Sequence, residues 1–368
     1  MTIVAAALLA LSTVGGALGW FALWLPGKRH AGALAPLTAD ERILVPRLRT
    51  HIDAIASEPH NTAYPAALER AAVYIERTLS MHGHAPVSQV FSAGGHVVRN
   101  IATIIPPASR GSKADGNGDG SRPPVLVVGA HYDSAFDAPG ANDNGTGTAL
   151  VLELARLLRA VPLRSLELHL VLFVNEEPPW FGTQHMGSVH YASALKAERR
   201  SVRGMISLET LGAFSDAPGS QQYPAPLGLG LPATANFIAF VALPGSRAFL
   251  HDVVGSFRRH TPFPTIGGVG PGWIEGLGWS DHAPFAEARY EAVMITDTAL
   301  FRYAHYHKPT DTPDKVDYER LARLTTAMAR VIHDLDRSPP GTAGVAAHPP
   351  LTANGAASVP EPRPASAR

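Results

Sequence analysis

Cysteine is absent from all 368 residues. Disulfides are excluded as a scaffold, and any zinc must be held by histidine and carboxylate rather than by thiolate. An excess of either charge sign is also missing, since Lys plus Arg and Asp plus Glu both number 31. That balance gives no electrostatic reason for a nucleic-acid partner. No internal repeat is present. The glycine-rich Gly267–Trp273 segment lacks the Lys-Ser/Thr of a phosphate loop, so nucleotide binding is not indicated, and a loop over a cleft is the expectation. Long apolar runs are lacking except one: Ile3 to Leu25 is uncharged and precedes Pro26-Gly27-Lys28-Arg29. As a helix rising about 1.5 Å per residue, that run would span a hydrocarbon core of about 30 Å. Residues 1–27 are therefore expected to anchor the chain in a membrane, with the rest of the chain extracytoplasmic; a signal peptide cleaved near Ala17-Leu18-Gly19 is the alternative.

The composition that remains, 45% hydrophobic and 17% charged, can bury a sizeable core. Residues 28–45 read as a linker and 46–337 as one domain. Residues 107–124, rich in Gly, Ser and Pro, read as a flexible surface loop, and 338–368 as a disordered tail. Apolar spacing predicts helices over 66–83, 145–160, 181–197, 246–259 and 313–336. The last is opened by Thr312 as cap and Pro313 at the first helical position. Strands are expected at 97–105, 125–129, 165–174, 204–208, 236–243 and 291–296. Alternation of this kind implies an α/β domain with a mostly parallel, covered sheet.

Five segments carry chemistry. Val127-Val128-Gly129-Ala130-His131-Tyr132-Asp133 is an apolar strand running into a histidine, with a carboxylate two residues on to fix its tautomer. In Gly140-Ala141-Asn142-Asp143-Asn144-Gly145, an acidic residue sits in a permissive loop at a helix start. Asn175-Glu176-Glu177-Pro178-Pro179 follows another apolar strand. Adjacent buried carboxylates repel each other, and the prolines force the chain out of the ladder so that both can reach one cavity. Met205-Ile206-Ser207-Leu208-Glu209 ends a third strand in a carboxylate, and His305-Tyr306-His307 precedes the last helix. Each alone has a bland reading as a capping, loop or solvated side chain. Together, His131, Glu176/Glu177 and Glu209 close three strands whose carboxyl ends share the edge where ligands bind in open α/β sheets. Their chemistry is that of a metal site.

These segments, with Arg99-Asn100-Ile101, Ser280-Asp281-His282 and His307-Lys308-Pro309-Thr310-Asp311-Thr312, resemble the di-zinc aminopeptidase family, whose relatives include glutaminyl cyclases, glutamate carboxypeptidase and the transferrin receptor ectodomain. The resemblance runs from about His60 to about Asp336 and implies a mixed eight-stranded sheet flanked by helices. It further implies that His131 and Glu209 hold one zinc, Glu177 and His307 the other, and Asp143 bridges both. Glu176 matches the general base and Asp133 the partner of His131. Glu209 departs from the family, where Asp is common, so one ion in place of two is the variant to test. Asp281 and His282 are expected to line the substrate cleft, and Asp311 to tie down its own loop. His305 is the competitor of His307 as ligand. His169, His185 and His190 read as structural. The function implied is removal of N-terminal residues from peptides by water activated on zinc. The rivals are a single-zinc glutaminyl cyclase and a non-catalytic receptor-like binding domain.

Overall fold

A computed structural model of the chain describes residues 19, 22–108, 122–224, 227–228 and 230–341. One sheet of eight strands carries the domain: β1 (Val87–Ala93), β2 (His96–Ile105), β3 (Val125–His131), β4 (Glu167–Phe173), β5 (Val202–Glu209), β6 (Ile238–Ala242), β7 (Thr265–Val269) and β8 (Ala292–Thr296). Their order is β1-β2-β4-β3-β5-β8-β6-β7. The central β4-β3-β5-β8 block is parallel, β1 and β2 are antiparallel on one flank, and β6 runs antiparallel to β8 on the other. Mixed pairing with a parallel centre agrees with the expected architecture.

Among the described residues, seven α-helices cover the sheet: α1 (Ala39–Ile55), α2 (Pro65–Met81), α3 (Thr146–Arg159), α4 (Gly187–Ala197), α5 (Arg247–His260), α6 (His282–Glu287) and α7 (Tyr318–Arg337). Strand alternation divides the apolar side chains between two layers. On β3, Leu126, Val128 and Ala130 join the larger core formed with α1, α2, α3, α5 and α7. Val125 and Val127 face the smaller core with α4 and α6. Both faces are therefore dry, which suits the near-continuous apolar runs of the parallel strands.

Several expected boundaries move. Residues 28–45 are not all linker: α1 starts at Ala39, because Thr38 and Glu41 close a reciprocal capping box, Thr38 N–H donating to the Glu41 carboxylate at 2.8 Å. Pro46 lies inside this helix, which is held by the buried face of Leu44, Leu48, Ile52 and Ile55. β1 is absent from the expected elements, since its burial alternates along an edge strand with little apolar signal. Gly94 and Gly95, both at positive φ, turn it into β2, and a Cβ at Gly94 would lie 2.2 Å from the Trp180 ring. The glycine-rich stretch is partly strand. Gly267 and Gly268 belong to β7, opposite Phe240 and Val241, and a Cβ at Gly267 would lie 1.8 Å from the Phe240 carbonyl. Instead of one helix from 313, a short 3₁₀ turn (Pro313–Lys315) precedes α7, whose cap is Asp317.

The expected anchor, residues 1–27, lies mostly outside the described residues; among those described, no helix is long and apolar enough to cross a membrane. Most of the 107–124 loop and all of the tail beyond Gly341 also lie outside them. The tail's first residues are packed: Ser338 is buried, and the Gly341 N–H donates to Asp252 at 2.8 Å.

Candidate metal centre

The strand order makes neighbours of the three chemical strands. β3 pairs with β4 on one side and β5 on the other, all parallel, with His131 opposite Phe173 and Gly129 opposite Ser207. Their carboxyl ends therefore open at one level, and His131, the Glu176-Glu177 pair and Glu209 emerge side by side. The loop entering α3 brings Asp143, and the loop after β8 brings His307.

The donor atoms converge. His131 Nε2 lies 3.3 Å from Asp143 Oδ1 and 3.4 Å from Glu209 Oε2. His307 Nε2 lies 3.1 Å from Asp143 Oδ2 and 3.2 Å from Glu177 Oε2. Asp143 thus offers one oxygen to each histidine. Glu176 stands further out, 3.9 Å from His131 Nε2. Two complete donor sets result, His131/Asp143/Glu209 and Asp143/Glu177/His307, and a third grouping, His131/Glu176/Glu177, draws on the same side chains without Asp143.

Zinc fits this arrangement. Ligands about 2.0–2.1 Å from a tetrahedral ion stand about 3.3 Å from one another, the spacing seen in both sets. Atoms of these side chains are otherwise orphaned: His131 Nε2, Asp143 Oδ2 and Glu177 Oε1 are buried without a hydrogen-bond partner, which a native interior rarely tolerates. The charges also need a cation. Burial pushes Glu176 well above the ordinary carboxylate range and Glu177 up to about 8, with Asp143 adding repulsion at Glu177. Burial would lower both imidazoles, yet the surrounding carboxylates raise His131 well above its usual value and His307 to about 10. Protons here do what divalent ions would do better.

Positioning groups surround the donors. His131 Nδ1 lies 3.0 Å from the Asp133 main-chain oxygen, which fixes the ring. The Asp133 carboxylate is 3.7 Å from that nitrogen, and its closer partners lie elsewhere. It accepts the N–H groups of Glu176 and Glu177, both at 3.2 Å. It is therefore a positioning residue for the acidic loop more than for the imidazole. Asp311 ties down more than its own loop. Its carboxylate accepts the N–H groups of Asn142 at 2.9 Å and Asp143 at 3.1 Å, and the Tyr303 hydroxyl at 2.7 Å. Asn175, Thr210 and His307 hold positive φ, unusual for side chains of this size and clustered at the ligands.

Asp281 and His282 are fully buried and line no wall of the cleft, which corrects the expected substrate contact. Asp281 feels the charges of the centre from its buried position, pushed up to about 7 by burial against the opposing pull of His131. His282, lowered to about 4 by burial, sits with Nε2 2.8 Å from the Leu277 carbonyl. His305 turns away to Thr310, 2.9 Å from its Nδ1, so His307 is the histidine of that loop that faces Asp143 and Glu177. His169 pairs with Glu167, His185 packs on Trp180 and His190 stacks on Phe91, as structural readings require.

Sequence reading assigned no role to some contributors. Ser280 donates to Glu209 Oε2 at 2.8 Å and so steers the longer side chain that replaces the common Asp. Tyr306 stacks on the His307 ring at 3.9 Å. Asp297, at the end of β8, accepts the N–H groups of Gly212 and Ala213 and the Asn142 side-chain amide. A carboxylate ending an apolar strand was the available clue for Asp297. Above the donors lies a cavity of about 430 Å³, walled by Phe181, Trp279, Leu300 and Tyr306.

Comparison with known proteins gives a consistent neighbourhood. Residues 114–332 match the profile described as peptidase family M28. The chain is 35% identical over 277 residues to the uncharacterized protein YfbL of Escherichia coli (strain K12), covering 73% of this chain and 80% of that one. It is 29% identical over 221 residues to aminopeptidase YwaD of Bacillus subtilis (strain 168), covering 58% of this chain but only 41% of the relative. The fold resembles that of the aminopeptidase from Aneurinibacillus sp. strain AM-1 (TM-score 0.59, 16% identity, 80% of this chain and 95% of that one). It equally resembles that of Fimbriiglobus ruber glutaminyl cyclase (TM-score 0.57, 20% identity, 84% and 99%).

Proposed function

The chain belongs to peptidase family M28, and on that premise we propose that it is a zinc-dependent aminopeptidase, removing N-terminal residues from peptides at the centre built on Asp143. One observation carries the reading: two ligand sets share Asp143, and one further carboxylate, Glu176, stands beside them without belonging to either pair of close contacts. His131, Asp143 and Glu209 would hold one zinc, and Asp143, Glu177 and His307 the other. Zinc bound there supplies Lewis acidity, polarising the scissile carbonyl and acidifying water towards a pKa of about 7.

The remaining work belongs to side chains. Glu176 accepts a proton from the attacking water on its carboxylate as the water oxygen bonds to the carbonyl carbon. It then delivers that proton to the amine nitrogen as the C–N bond breaks. Asp133 holds Glu176 through the main chain, so the carboxylate is aimed without being consumed by its own hydrogen bond. Phe181, Leu300 and Tyr306 line the cavity with apolar surface that excludes water around the reacting groups.

The glutaminyl cyclase reading shares the fold, so the site must separate the two. A cyclase with one zinc has no need of a second complete set, whereas Ser280 holds Glu209 within reach of His131. A binding domain without catalysis has no use for Glu176 beside five convergent ligands. The test is zinc per chain with turnover of leucine p-nitroanilide against a glutamine amide. Glu176→Gln should lower kcat by at least about 10²-fold with zinc content unchanged. An active Glu176→Gln variant, or cyclisation without anilide hydrolysis, would overturn the reading. Residues 3–25 extend the proposal to location: an apolar N-terminal anchor with the catalytic domain outside the cytoplasm, testable by protease protection in intact cells.

A further inference from the structure

A second concentration of charge lies away from the metal centre, where the N-terminal segment meets the end of α5. A cavity of about 490 Å³ there is walled by Lys28, Arg29, His30, Arg258, Arg259 and His260, and among the described residues no acidic side chain lines it. The carboxylate that serves this turn, Asp334 on α7, is already committed. One of its oxygens accepts from Ser256 and Arg259, both at 2.7 Å, and lies 2.9 Å from His260 Nε2. Lys28, Arg29 and Arg258 therefore have no ion partner among the described residues. Burial and the neighbouring charge of Arg29 lower Arg258 from its ordinary value. Two nitrogens of the lining residues, Arg259 Nη1 and His30 Nε2, are buried without a hydrogen-bond partner. Crowded cations with unused donors are the makings of an anion site.

A basic last turn is ordinary at a helix C-terminus, where it offsets the dipole, and that accounts for Arg258, Arg259 and His260. It does not account for Lys28 and Arg29, which come from the far end of the chain and are held against that turn. Arg258 does the holding. Its Nη1 donates to the carbonyls of Leu25, Pro26 and Gly27 at 3.1, 2.8 and 3.2 Å, and its Nε to Thr265 Oγ1 at 2.7 Å. Gly268 in β7 lets the segment come close, since a Cβ there would lie 2.4 Å from the Ala22 carbonyl oxygen. The last carbonyls of α5 are themselves covered, Phe257 by the Thr261 N–H at 3.1 Å and His260 by Arg330 at 3.3 Å, so they oppose an anion little.

The neighbouring sequence narrows the source of the anion. Ile3 to Leu25 is uncharged, and Lys28 follows three residues later. Trp24, 42% exposed, packs edge-on against His251 of α5 with ring centroids 5.0 Å apart. An apolar run, then a tryptophan, then basic side chains is the order in which a chain passes from hydrocarbon into the headgroup layer. We propose that the basic cavity binds the headgroup of an anionic phospholipid, its phosphate held between Lys28 and Arg29 on one side and Arg258 and Arg259 on the other. A lipid seated there turns the end of α5 and the edge strand β7 towards the bilayer. The proposal rests on the anchor reading of residues 3–25 and is independent of what the metal centre hydrolyses.

The test uses the full zinc-loaded chain in dodecyl maltoside micelles, titrated with dihexanoyl phosphatidylglycerol, dihexanoyl phosphatidylcholine and inorganic phosphate, with Kd read by phosphorus NMR. The wild type should prefer the anionic lipid over the zwitterionic one by at least about tenfold. Each basic residue at a membrane surface is worth about fivefold in binding, so Lys28→Gln with Arg29→Gln should weaken phosphatidylglycerol about 30-fold. Both side chains are exposed, and this variant should melt as the wild type does. Arg77→Gln with Lys196→Gln removes two exposed cations that line no wall of the cavity and should hold Kd within about twofold. Equal binding of the two lipids, or unchanged phosphatidylglycerol binding in the variant at 28 and 29, overturns the site. Inorganic phosphate bound as tightly as phosphatidylglycerol overturns the lipid and assigns the cavity to free phosphate. A chain that cell fractionation finds free of membranes, yet that still selects phosphatidylglycerol, overturns the anchor and leaves the anion site standing.

Discussion

Replacing Asp133 by alanine probes how the acidic loop is held. Its two oxygens accept the N–H groups of Glu176 and Glu177 at 3.2 Å each, and the side chain is only 2% exposed. Alanine leaves two buried donors without acceptors, at about 1–3 kcal/mol each. Since 3.2 Å is at the long end of normal N–H···O distances, the lower part of that range applies, about 2–4 kcal/mol in all. For a domain of this size the melting temperature should fall by roughly 4–12 °C. Asparagine keeps one acceptor and turns an amide N–H₂ towards the other donor, so it should recover no more than about half. Melts are to be recorded after EDTA treatment, so that altered zinc affinity does not enter, with zinc content then measured on reconstituted protein. If the alanine variant melts within about 1 °C of wild type in EDTA, the carboxylate does not hold the loop, and its role reduces to the imidazole contact the sequence suggested.

Two other perturbations reach different layers of the structure. Chelation strips the cation from a pocket where Asp143, Glu176, Glu177 and Glu209 face two imidazoles; zinc at about 1,000 times its Kd stabilises by about 4 kcal/mol per site. EDTA should therefore lower the melting temperature by roughly 16–24 °C when both sites are filled, reversed by zinc, and a melt indifferent to EDTA would refute an ion-neutralised centre. Away from the site, Glu153 on α3 is buried against Arg47, His51 and Arg156. Burial opposes its ionisation, but these partners hold it at about 2. A folded value below the unfolded one stabilises above about pH 4.5 and fades as pH falls towards 2. With Arg47 and Arg156 about a third exposed, the contribution is about 1–2 kcal/mol. Urea midpoints of Glu153→Gln should be lower at pH 6 and less dependent on pH between 5 and 3; a variant as acid-sensitive as wild type would refute the assignment.

The proposed ligands are legible in the chain because three of their segments follow apolar strands directly, and strand ends in a parallel sheet share an edge. The parallel centre is legible for the same reason, since strands buried on both faces show as short apolar runs between helices. What escapes is set by distant contacts. The edge strand β1 has one wet face and little apolar signal. Pro36 and Pro46 mask a capped helix, because the stabilising term is burial of Leu48 and Ile52 rather than local propensity. β7 carries two glycines that only close approaches explain, of Phe240 to Gly267 and of the Ala22 main chain to Gly268. Asp133 is found by motif, yet its acceptor role depends on where the chain passes after Val174, one whole helix and strand further on.

Asp311 has one more consequence. It sits four residues after His307, and its carboxylate grips the main chain of Asn142 and Asp143. The loop that carries His307 thereby also fixes the main chain that presents Asp143, so a change of length between His307 and Asp311 would displace both side chains together.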